Sequence, residues 1–152
     1  MAGDDSSDCV DNNNASGTDG NKAQMWACDG NTAAQNWTVN SNGTLTIDGG
    51  CMDITGAKYT DGTLIEWWTC SGGANQQWEA ESGELVNPTS GMCLDDPGSN
   101  TTEGTQLTEP IKRGRSLSGR SRWAKCAFRP ARVSLNAHLA RRGGARGLAG
   151  SR

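Results

Sequence analysis

Short apolar segments in the first 110 residues are interrupted every few positions by Gly, Asn, Asp, Thr or Ser. The 21 glycines are roughly twice the usual share, and such punctuation favours short strands joined by turns. Residues 42–47 and 83–88 each combine a turn with a short strand that leads to a cysteine. The pattern therefore predicts an all-β fold, with no long helix before residue 111.

A repeat organises these segments. The stretch from Cys51 to Trp78 corresponds to an upstream stretch from Cys9 to Trp37, with Cys-x-Asp, Asp-Gly and Trp-x-Cys each recurring after 42 residues and Gln-x-Trp closing both. A third copy begins at Cys93, again 42 residues on, and the sequence pattern stops after Glu103-Gly104. A fixed period of this length is typical of repeat architectures.

Charge divides the chain into different kinds of polypeptide. All 17 acidic residues lie at or before Glu109, whereas 12 of the 14 Lys and Arg residues lie in 111–152. Because this change is abrupt and falls inside the third repeat, we expect a reading-frame shift near residues 108–110. The expected segments are a disordered N-terminus (1–8), a folded domain (9–110, with repeats 9–50, 51–92 and a partial 93–110), and an irregular, basic, low-complexity tail (111–152).

A genuine basic tail that neutralises phosphates or an anionic surface is the alternative interpretation of residues 111–152. Its aromatic residues are Trp123 and Phe128, too few for a base-stacking surface, so no nucleic-acid partner is expected. No apolar run approaches the ~20 residues that span a bilayer. The acidic start is unlike a secretory signal, and the sequence therefore predicts neither a membrane partner nor a visible export signal.

The cysteines indicate disulfides. Cys9 and Cys28 are 19 positions apart, as are Cys51 and Cys70, so each complete repeat contains one pair. A zinc site would need closer pairs, and the Asn-rich segment after Asp11 lacks the Gly and Glu of a calcium loop. We therefore expect two disulfides, no metal or other cofactor, and an oxidising, extracellular setting.

The recurring Cys-x-Asp, Gln-x-Trp-x-Cys-like and Gln-x-Trp motifs resemble the ricin B-type (QxW) family of β-trefoil lectins and carbohydrate-binding modules. The resemblance covers about residues 9–108. It implies a β-trefoil of about forty-residue repeats, with one potential sugar site in each repeat. The trefoil is expected to be truncated, because no opening strand precedes Cys9 and no third Gln-x-Trp follows Cys93.

The same resemblance implies two sets of sugar-binding residues. The second repeat supplies the more complete set: Asp53, Glu66, Trp68, Asn75 and Gln76. The first repeat supplies Asp11, Gln24, Trp26 and Gln35. Ala34 replaces one amide of the first set, so that site is expected to be weaker unless Asn31 substitutes for it. In the third repeat Pro110 occupies the position of the aromatic residue, and no sugar binding is expected at Asp95.

These residue types suit a pyranose. A carboxylate accepts hydroxyl protons, an amide donates and accepts, and an indole covers the apolar C–H face of the ring. Simple turn capping is the alternative role for Asp11 and Asp53. Trp37 and Trp78, from the Gln-x-Trp motifs, are expected in the core, and Trp26 and Trp68 on the surface.

No catalytic arrangement is evident, so the chain is not expected to be an enzyme. Its carboxylates lie in open, turn-rich segments, and its one histidine, His138, lies in the basic tail. The resemblance implies a carbohydrate-binding module for galactosides or xylan, derived from a larger secreted glycoside hydrolase. The alternatives are a fragment of a glycoside hydrolase whose activity lies in a missing region, and a cationic nucleic-acid or membrane binder that acts through the tail.

Overall fold

A computed structural model describes residues 8–81, 84–97 and 102–109. Most of the predicted N-terminal segment and the whole basic tail lie outside these residues, and the first strand begins at Asp8. The strands are β1 (Asp8–Asn12), β2 (Asn21–Ala27), β3 (Thr38–Val39), β4 (Leu45–Ile47), β5 (Gly50–Ile54), β6 (Thr63–Thr69), β7 (Glu79–Glu81), β8 (Glu84–Val86) and β9 (Thr108–Glu109). Helical structure within the described residues is limited to single turns: α1 (Thr32–Gln35) and the 3-10 turns Asn13–Ala15, Thr55–Ala57 and Ala74–Gln76.

The strands are antiparallel and form one curled sheet and one hairpin. The sheet has the order β1-β2-β6-β5-β4-β3, with β9 also paired to β6, and β7 pairs with β8 in the hairpin. Strands β4 and β8 lie within the two segments, 42–47 and 83–88, that the turn pattern indicated. The all-β prediction is confirmed for the described part of the chain.

The first two repeats build the same hairpin. In the first, β1 pairs with β2 so that Asp11 lies opposite Gln24. In the second, β5 pairs with β6 so that Asp53 lies opposite Glu66. The equal spacing in sequence therefore places equivalent side chains at equivalent points of two hairpins that share one pairing register.

The third repeat joins the first two around a central point. Ala23, Ile65 and Leu107 follow one another at 42-residue intervals, and each has 0% exposure. The Leu107 amide donates to the Ala23 carbonyl at 2.9 Å, and the Ile65 amide donates to the Leu107 carbonyl at 2.9 Å. Strands from all three repeats thus meet with pseudo-threefold symmetry, as in a β-trefoil, and the backbone stays in register beyond Gly104 to Glu109.

The tryptophans of the Gln-x-Trp motifs lie in the core, as predicted. Trp37 is 1% exposed and Trp78 is 4% exposed. The Trp37 indole donates from Nε1 to the Val10 carbonyl, and the Trp78 indole donates to the Met52 carbonyl, both at 3.1 Å. Each indole therefore fills the core and also ties the end of its repeat to the first strand of that repeat.

Both expected disulfides are present. Cys9 is bonded to Cys28 and Cys51 to Cys70, and in each pair the Cα atoms are 5.1 Å apart. Each bond links the start of the first hairpin strand of a repeat to the residue that follows the second strand. A bridge closing a loop of this size contributes on the order of 3 kcal/mol to stability.

Two features of the described residues bear on membrane and metal binding. Among the described residues, no helix is long and apolar enough to cross a membrane. The same part of the chain contains no group of three or more His, Cys, Asp or Glu side chains arranged to hold a metal ion.

Candidate functional site

The second repeat brings a carboxylate pair together with an exposed indole. Asp53 and Glu66 are opposite one another on β5 and β6, and they are only 4% and 8% exposed. Trp68 lies two residues beyond Glu66, and since alternate residues of a strand share a face, it lies on the same side of the hairpin. Its side chain is 41% exposed, so this face offers acceptor oxygens next to an open aromatic surface.

Two amides from the 3-10 turn Ala74–Gln76 orient the Asp53 carboxylate. Asn75 donates from Nδ2 to Asp53 Oδ2 at 2.8 Å, and Gln76 donates from Nε2 to the same oxygen at 2.7 Å. Both bonds end on Oδ2, so they do not engage Oδ1. The carboxylate is therefore held in one orientation by amides that leave an acceptor oxygen for a ligand.

Gln76 has a different position from the one expected of a sugar-contacting residue. It is fully buried, and its Nε2 atom also donates to the Thr69 carbonyl at 3.1 Å. Its Oε1 atom accepts from the amides of Ser71 and Gly72 at 2.8 and 3.3 Å. The geometry thus assigns Gln76 to positioning Asp53 and the loop after Cys70, whereas half-buried Asn75 lies nearer the surface.

Burial favours protonation of both members of the carboxyl pair. Burial raises the pKa of Asp53, and the hydrogen bonds from Gln76 and Asn75 partly oppose this. Burial also raises the pKa of Glu66, and the neighbouring negative charge of Asp53 raises it further. Both carboxyls of the second site therefore take up protons at a higher pH than ordinary Asp and Glu side chains.

The first repeat builds a related site with one carboxylate. Gln24 donates from Nε2 to Asp11 Oδ1 at 3.0 Å, and Gln35 donates from Nε2 to Asp11 Oδ2 at 3.2 Å. Like Gln76, Gln35 is buried, and it also bonds to the Ala27 carbonyl at 2.9 Å. Trp26 is 36% exposed beside them. The expected residues are again gathered at one place, with Gln35 behind the carboxylate.

The first site lacks the second surface amide. Ala34 occupies the position of Asn75 and is buried in α1. The Asn31 side chain caps that helix, accepting from the Ala33 amide at 3.2 Å. The Oδ1 atom of Asn31 therefore supports the loop, and Ala34 leaves the first site with one side-chain amide fewer than the second.

The third repeat repeats the backbone of the site but not its side chains. Asp95 is half-buried and forms reciprocal backbone hydrogen bonds with Thr108 at 2.8 and 2.9 Å. Thr108 thus stands where Gln24 and Glu66 stand in the other repeats. Burial raises the pKa of Asp95. Pro110, expected at the position of the aromatic residue, lies outside the described residues.

A turn from a neighbouring repeat borders each of these two sites, and the sequence motifs did not predict it. The amide of Gly20 in the first repeat donates to the Trp67 carbonyl in the second at 3.1 Å. The amide of Gly104 in the third donates to the Met25 carbonyl in the first at 2.8 Å. The Asp-Gly or Glu-Gly pair recurs visibly in the sequence. The residues that it contacts are about 40 to 80 positions away, so the sequence does not show which site each pair borders.

The fold and the two sites define a class of protein, a β-trefoil that presents a carboxylate, amides and an exposed indole in each of two repeats. Residues 1–116 match the family of the ricin-type beta-trefoil lectin domain. The chain belongs to this family. A domain of this kind is a carbohydrate-binding module, so the resemblance and the β-trefoil fold class inferred from the sequence are confirmed.

Solved structures agree with this assignment. The designed threefold-symmetric protein ThreeFoil is 26% identical with a TM-score of 0.61, and the match covers 72% of this chain and 86% of ThreeFoil. The agglutinin from Abrus precatorius is 26% identical with a TM-score of 0.60, over 72% of this chain and 41% of the agglutinin chain.

A third structure shows the fold alone. It is a non-toxic homologue of type II RIPs from Momordica charantia, solved in complex with alpha-methyl-D-galactoside, 24% identical with a TM-score of 0.58. The match covers 72% of this chain and 40% of that one. The chain therefore spans less than half the length of the Abrus and Momordica proteins. No curated protein sequence gives a significant match.

Proposed function

We propose that this protein binds carbohydrate at the second-repeat site and, more weakly, at the first, without catalysing a reaction. The observation that carries the proposal is the pairing of an exposed tryptophan with a buried, amide-oriented carboxylate in both repeats. Trp68 accompanies Asp53, and Trp26 accompanies Asp11. A packing role alone would not leave both indoles open to solvent at equivalent positions.

The chemistry of these groups matches a pyranose ring. Oδ1 of Asp53 is placed to accept hydroxyl protons, and Asn75 can both donate and accept. The Trp68 indole offers a flat surface for the C–H face of the ring. About three hydrogen bonds at ~1 kcal/mol each and ~1 kcal/mol of stacking correspond to millimolar affinity for one site. Retention on a polymer would come from two sites acting together.

The sugar we propose is a galactoside or a xylan-type polysaccharide, and the setting is a module of a larger secreted enzyme such as a glycoside hydrolase. Two disulfides support an oxidising, extracellular location. Membership of the lectin family supports a binding module that retains an enzyme on its substrate. The absence of catalysis is part of this proposal, and hydrolysis of a chromogenic glycoside by the purified chain would contradict it.

Affinity chromatography tests the proposal. The oxidised protein is applied to lactosyl-agarose and to insoluble xylan, and the retained fraction is compared among the wild type, Trp68→Ala and Trp26→Ala. We expect retention on one matrix, a large loss with Trp68→Ala and a smaller loss with Trp26→Ala. Asp95→Ala, in the third repeat, is the matched control and should be retained like the wild type. Equal retention of all four proteins, or passage of the folded wild type through both matrices, would contradict the proposal.

A further inference from the structure

A residue of the first repeat contacts the second-repeat site directly. Asp19 Oδ1 accepts hydrogen bonds from the Thr69 amide at 2.6 Å and from Thr69 Oγ1 at 2.9 Å. Thr69 directly follows the exposed Trp68. The next residue of the turn, Gly20, has φ of 87°, and a Cβ atom there would lie 3.9 Å from both Glu66 Oε2 and the Trp68 ring. The Asp19-Gly20 turn therefore borders both the acidic and the aromatic parts of this site.

We propose that Asp19 is a positioning residue of the second sugar site, which is therefore assembled from two repeats and weakens as the pH falls. The inference rests on the proposed carbohydrate-binding function, and it adds a residue and a form of regulation to that site. Asp19 would act on the groups that hold the sugar, whereas Asp53 and Trp68 are the groups proposed to contact it.

The positioning effect follows a continuous set of hydrogen bonds. Asp19 holds Thr69 through the Thr69 amide and hydroxyl. The Thr69 carbonyl accepts from Gln76 Nε2 at 3.1 Å, and the same Nε2 atom donates to Asp53 Oδ2 at 2.7 Å. Fixing Thr69 thus restrains the end of β6, which carries Trp68, and also the amide that orients the carboxylate.

The charge of Asp19 adds to a pH effect that burial of the two carboxyls causes. After burial, which is the main cause, the Asp19 charge contributes to the raised pKa of both Asp53 and Glu66. Asp53 must be ionised to accept two sugar hydroxyls. Because its folded-state pKa is raised, it begins to take up a proton at a higher pH than an ordinary aspartate. Sugar binding should therefore begin to decline at a higher pH than the titration of an ordinary aspartate would give.

Other charged or titratable groups near the pair do not remove this effect. Lys22 on β2 is opposite Glu66 in the sheet, but its ammonium group donates to the Gly104 carbonyl at 3.1 Å. Tyr59 is also affected by nearby negative charge. Burial raises its pKa, and the charges of Glu109 and Asp53 raise it further. The turn Ala74–Gln76 contributes amides and no charged side chain.

The first site provides a natural comparison. Ala27, which lacks a hydroxyl group, occupies the position of Thr69 there, and Glu103 occupies the position of Asp19. Gln24 replaces Glu66 and donates to Asp11, so no carboxylate pair exists at that site. Removing the charge of Glu103 should therefore leave the second site unchanged, which makes Glu103→Gln a matched control.

Two substitutions separate the charge of Asp19 from its hydrogen bonds. Asp19→Asn removes the charge but keeps an oxygen that can accept from Thr69, whereas Asp19→Ala removes both. Carboxyl carbon NMR signals of Asp53 and Glu66 are followed against pH without sugar. Lactose and xylotriose binding are then measured between pH 4 and pH 8 (roughly the range of carboxyl and imidazole titration), together with the indole N–H signal of Trp68.

The expected results differ for the three variants. Asp19→Asn should move both carboxyl titrations, and the pH of half-maximal sugar binding, to lower pH while leaving neutral-pH affinity near that of the wild type. Asp19→Ala should also shift the Trp68 indole signal and weaken neutral-pH binding about five-fold, as expected for loss of about one hydrogen bond's net contribution. Glu103→Gln should change none of these quantities.

Unchanged titrations in Asp19→Asn, or wild-type binding and an unshifted Trp68 signal in Asp19→Ala, would overturn the inference. The carboxyl titrations and the indole signal need no sugar. If the wild type binds neither lactose nor xylotriose, the proposed function fails for these sugars, while the two NMR measurements still decide whether Asp19 controls the site.

Discussion

Gln76 donates a 2.7 Å hydrogen bond to Oδ2 of Asp53 although Gln76 itself is fully buried. Because its side chain has no exposed surface, we expect Gln76 not to contact the sugar directly. It supports the site from behind, and three hydrogen bonds from Ser71 and Gly72 to its Oε1 atom hold it there. Groups that support the site are thus distinct from groups at its surface.

Gln76→Ala should reduce both stability and sugar binding, whereas Asn75→Ala should mainly reduce binding. Loss of the Gln76 amide leaves several buried groups without partners, at a cost of about 1–3 kcal/mol. Asn75 is half-buried, so water can replace it. Urea denaturation and sugar titration of both variants test this. A Gln76→Ala protein as stable as the wild type would contradict the supporting role.

Substitution of a buried tryptophan should mainly reduce stability, whereas substitution of an exposed one should mainly reduce sugar binding. Trp78→Ala removes a 4%-exposed indole and its bond to the Met52 carbonyl, so we expect a loss of about 3–5 kcal/mol in unfolding free energy. Trp68→Ala removes a 41%-exposed indole and should cost less than about 1 kcal/mol while abolishing binding at the second site. Thermal denaturation of each variant, with sugar titration of the folded one, tests this. The opposite order of stabilities would contradict it.

Reduction of the disulfides should weaken both folding and the second site. Each bond closes a loop across a separation of 19 residues, and its loss costs on the order of 3 kcal/mol. Gln76 also bonds to Ser71, which follows Cys70, so a loosened loop should release the amide that orients Asp53. Denaturation with and without reductant measures the first effect, and Cys51→Ser/Cys70→Ser isolates the second. Unchanged sugar affinity in that folded double variant would contradict the link to the site.

Ionisation of Glu109 should lower the stability of the folded protein as the pH rises from about 4.5 to about 7. Glu109 occupies the repeat position of Met25 and Trp67, which are both in the core, and it is itself fully buried. Burial, partly opposed by a hydrogen bond from Ser90, raises its pKa from the ordinary 4.5 to about 7. The folded state therefore binds this proton more tightly than the unfolded state, and its stabilising effect, up to about 3 kcal/mol, is lost as the pH rises.

Urea denaturation at pH 5 and pH 8 measures this effect. Glu109→Gln, which cannot ionise, should lose less stability than the wild type on going from pH 5 to pH 8. Glu79→Gln, at an exposed position of β7, is the matched control and should retain the wild-type dependence. An identical pH dependence in Glu109→Gln and the wild type would contradict the prediction.

Much of the fold and the main site residues could be predicted because they repeat within a hairpin. The 42-residue offset places Asp53 opposite Glu66 just as it places Asp11 opposite Gln24. The same offset distinguishes Trp68, which follows the paired carboxylate, from Trp78, which closes the repeat. These relationships depend on local register, which sequence spacing determines directly.

The remainder depends on how the repeats meet. Sequence spacing gave no indication that Asp19 bonds to Thr69, 50 residues later, because the contact exists only after the repeats have packed. The third repeat shows the same limit. Its motif ends after Gly104 in sequence, yet Leu107 completes the central contact with Ala23 and Ile65 through backbone atoms. Backbone hydrogen bonds require no particular side chain, so motif comparison could not detect them.

The most direct test of carbohydrate binding at the second repeat is a tryptophan-fluorescence titration of the oxidised protein with galactose, lactose and xylo-oligosaccharides, repeated with Asp53→Ala and Asp95→Ala. We expect a saturable fluorescence change with one of these sugars that Asp95→Ala retains and Asp53→Ala loses or greatly reduces. Carbohydrate binding at the second repeat would be contradicted if folded wild-type protein showed no fluorescence change with any of these sugars. Equal binding by Asp53→Ala and the wild type would contradict it as well.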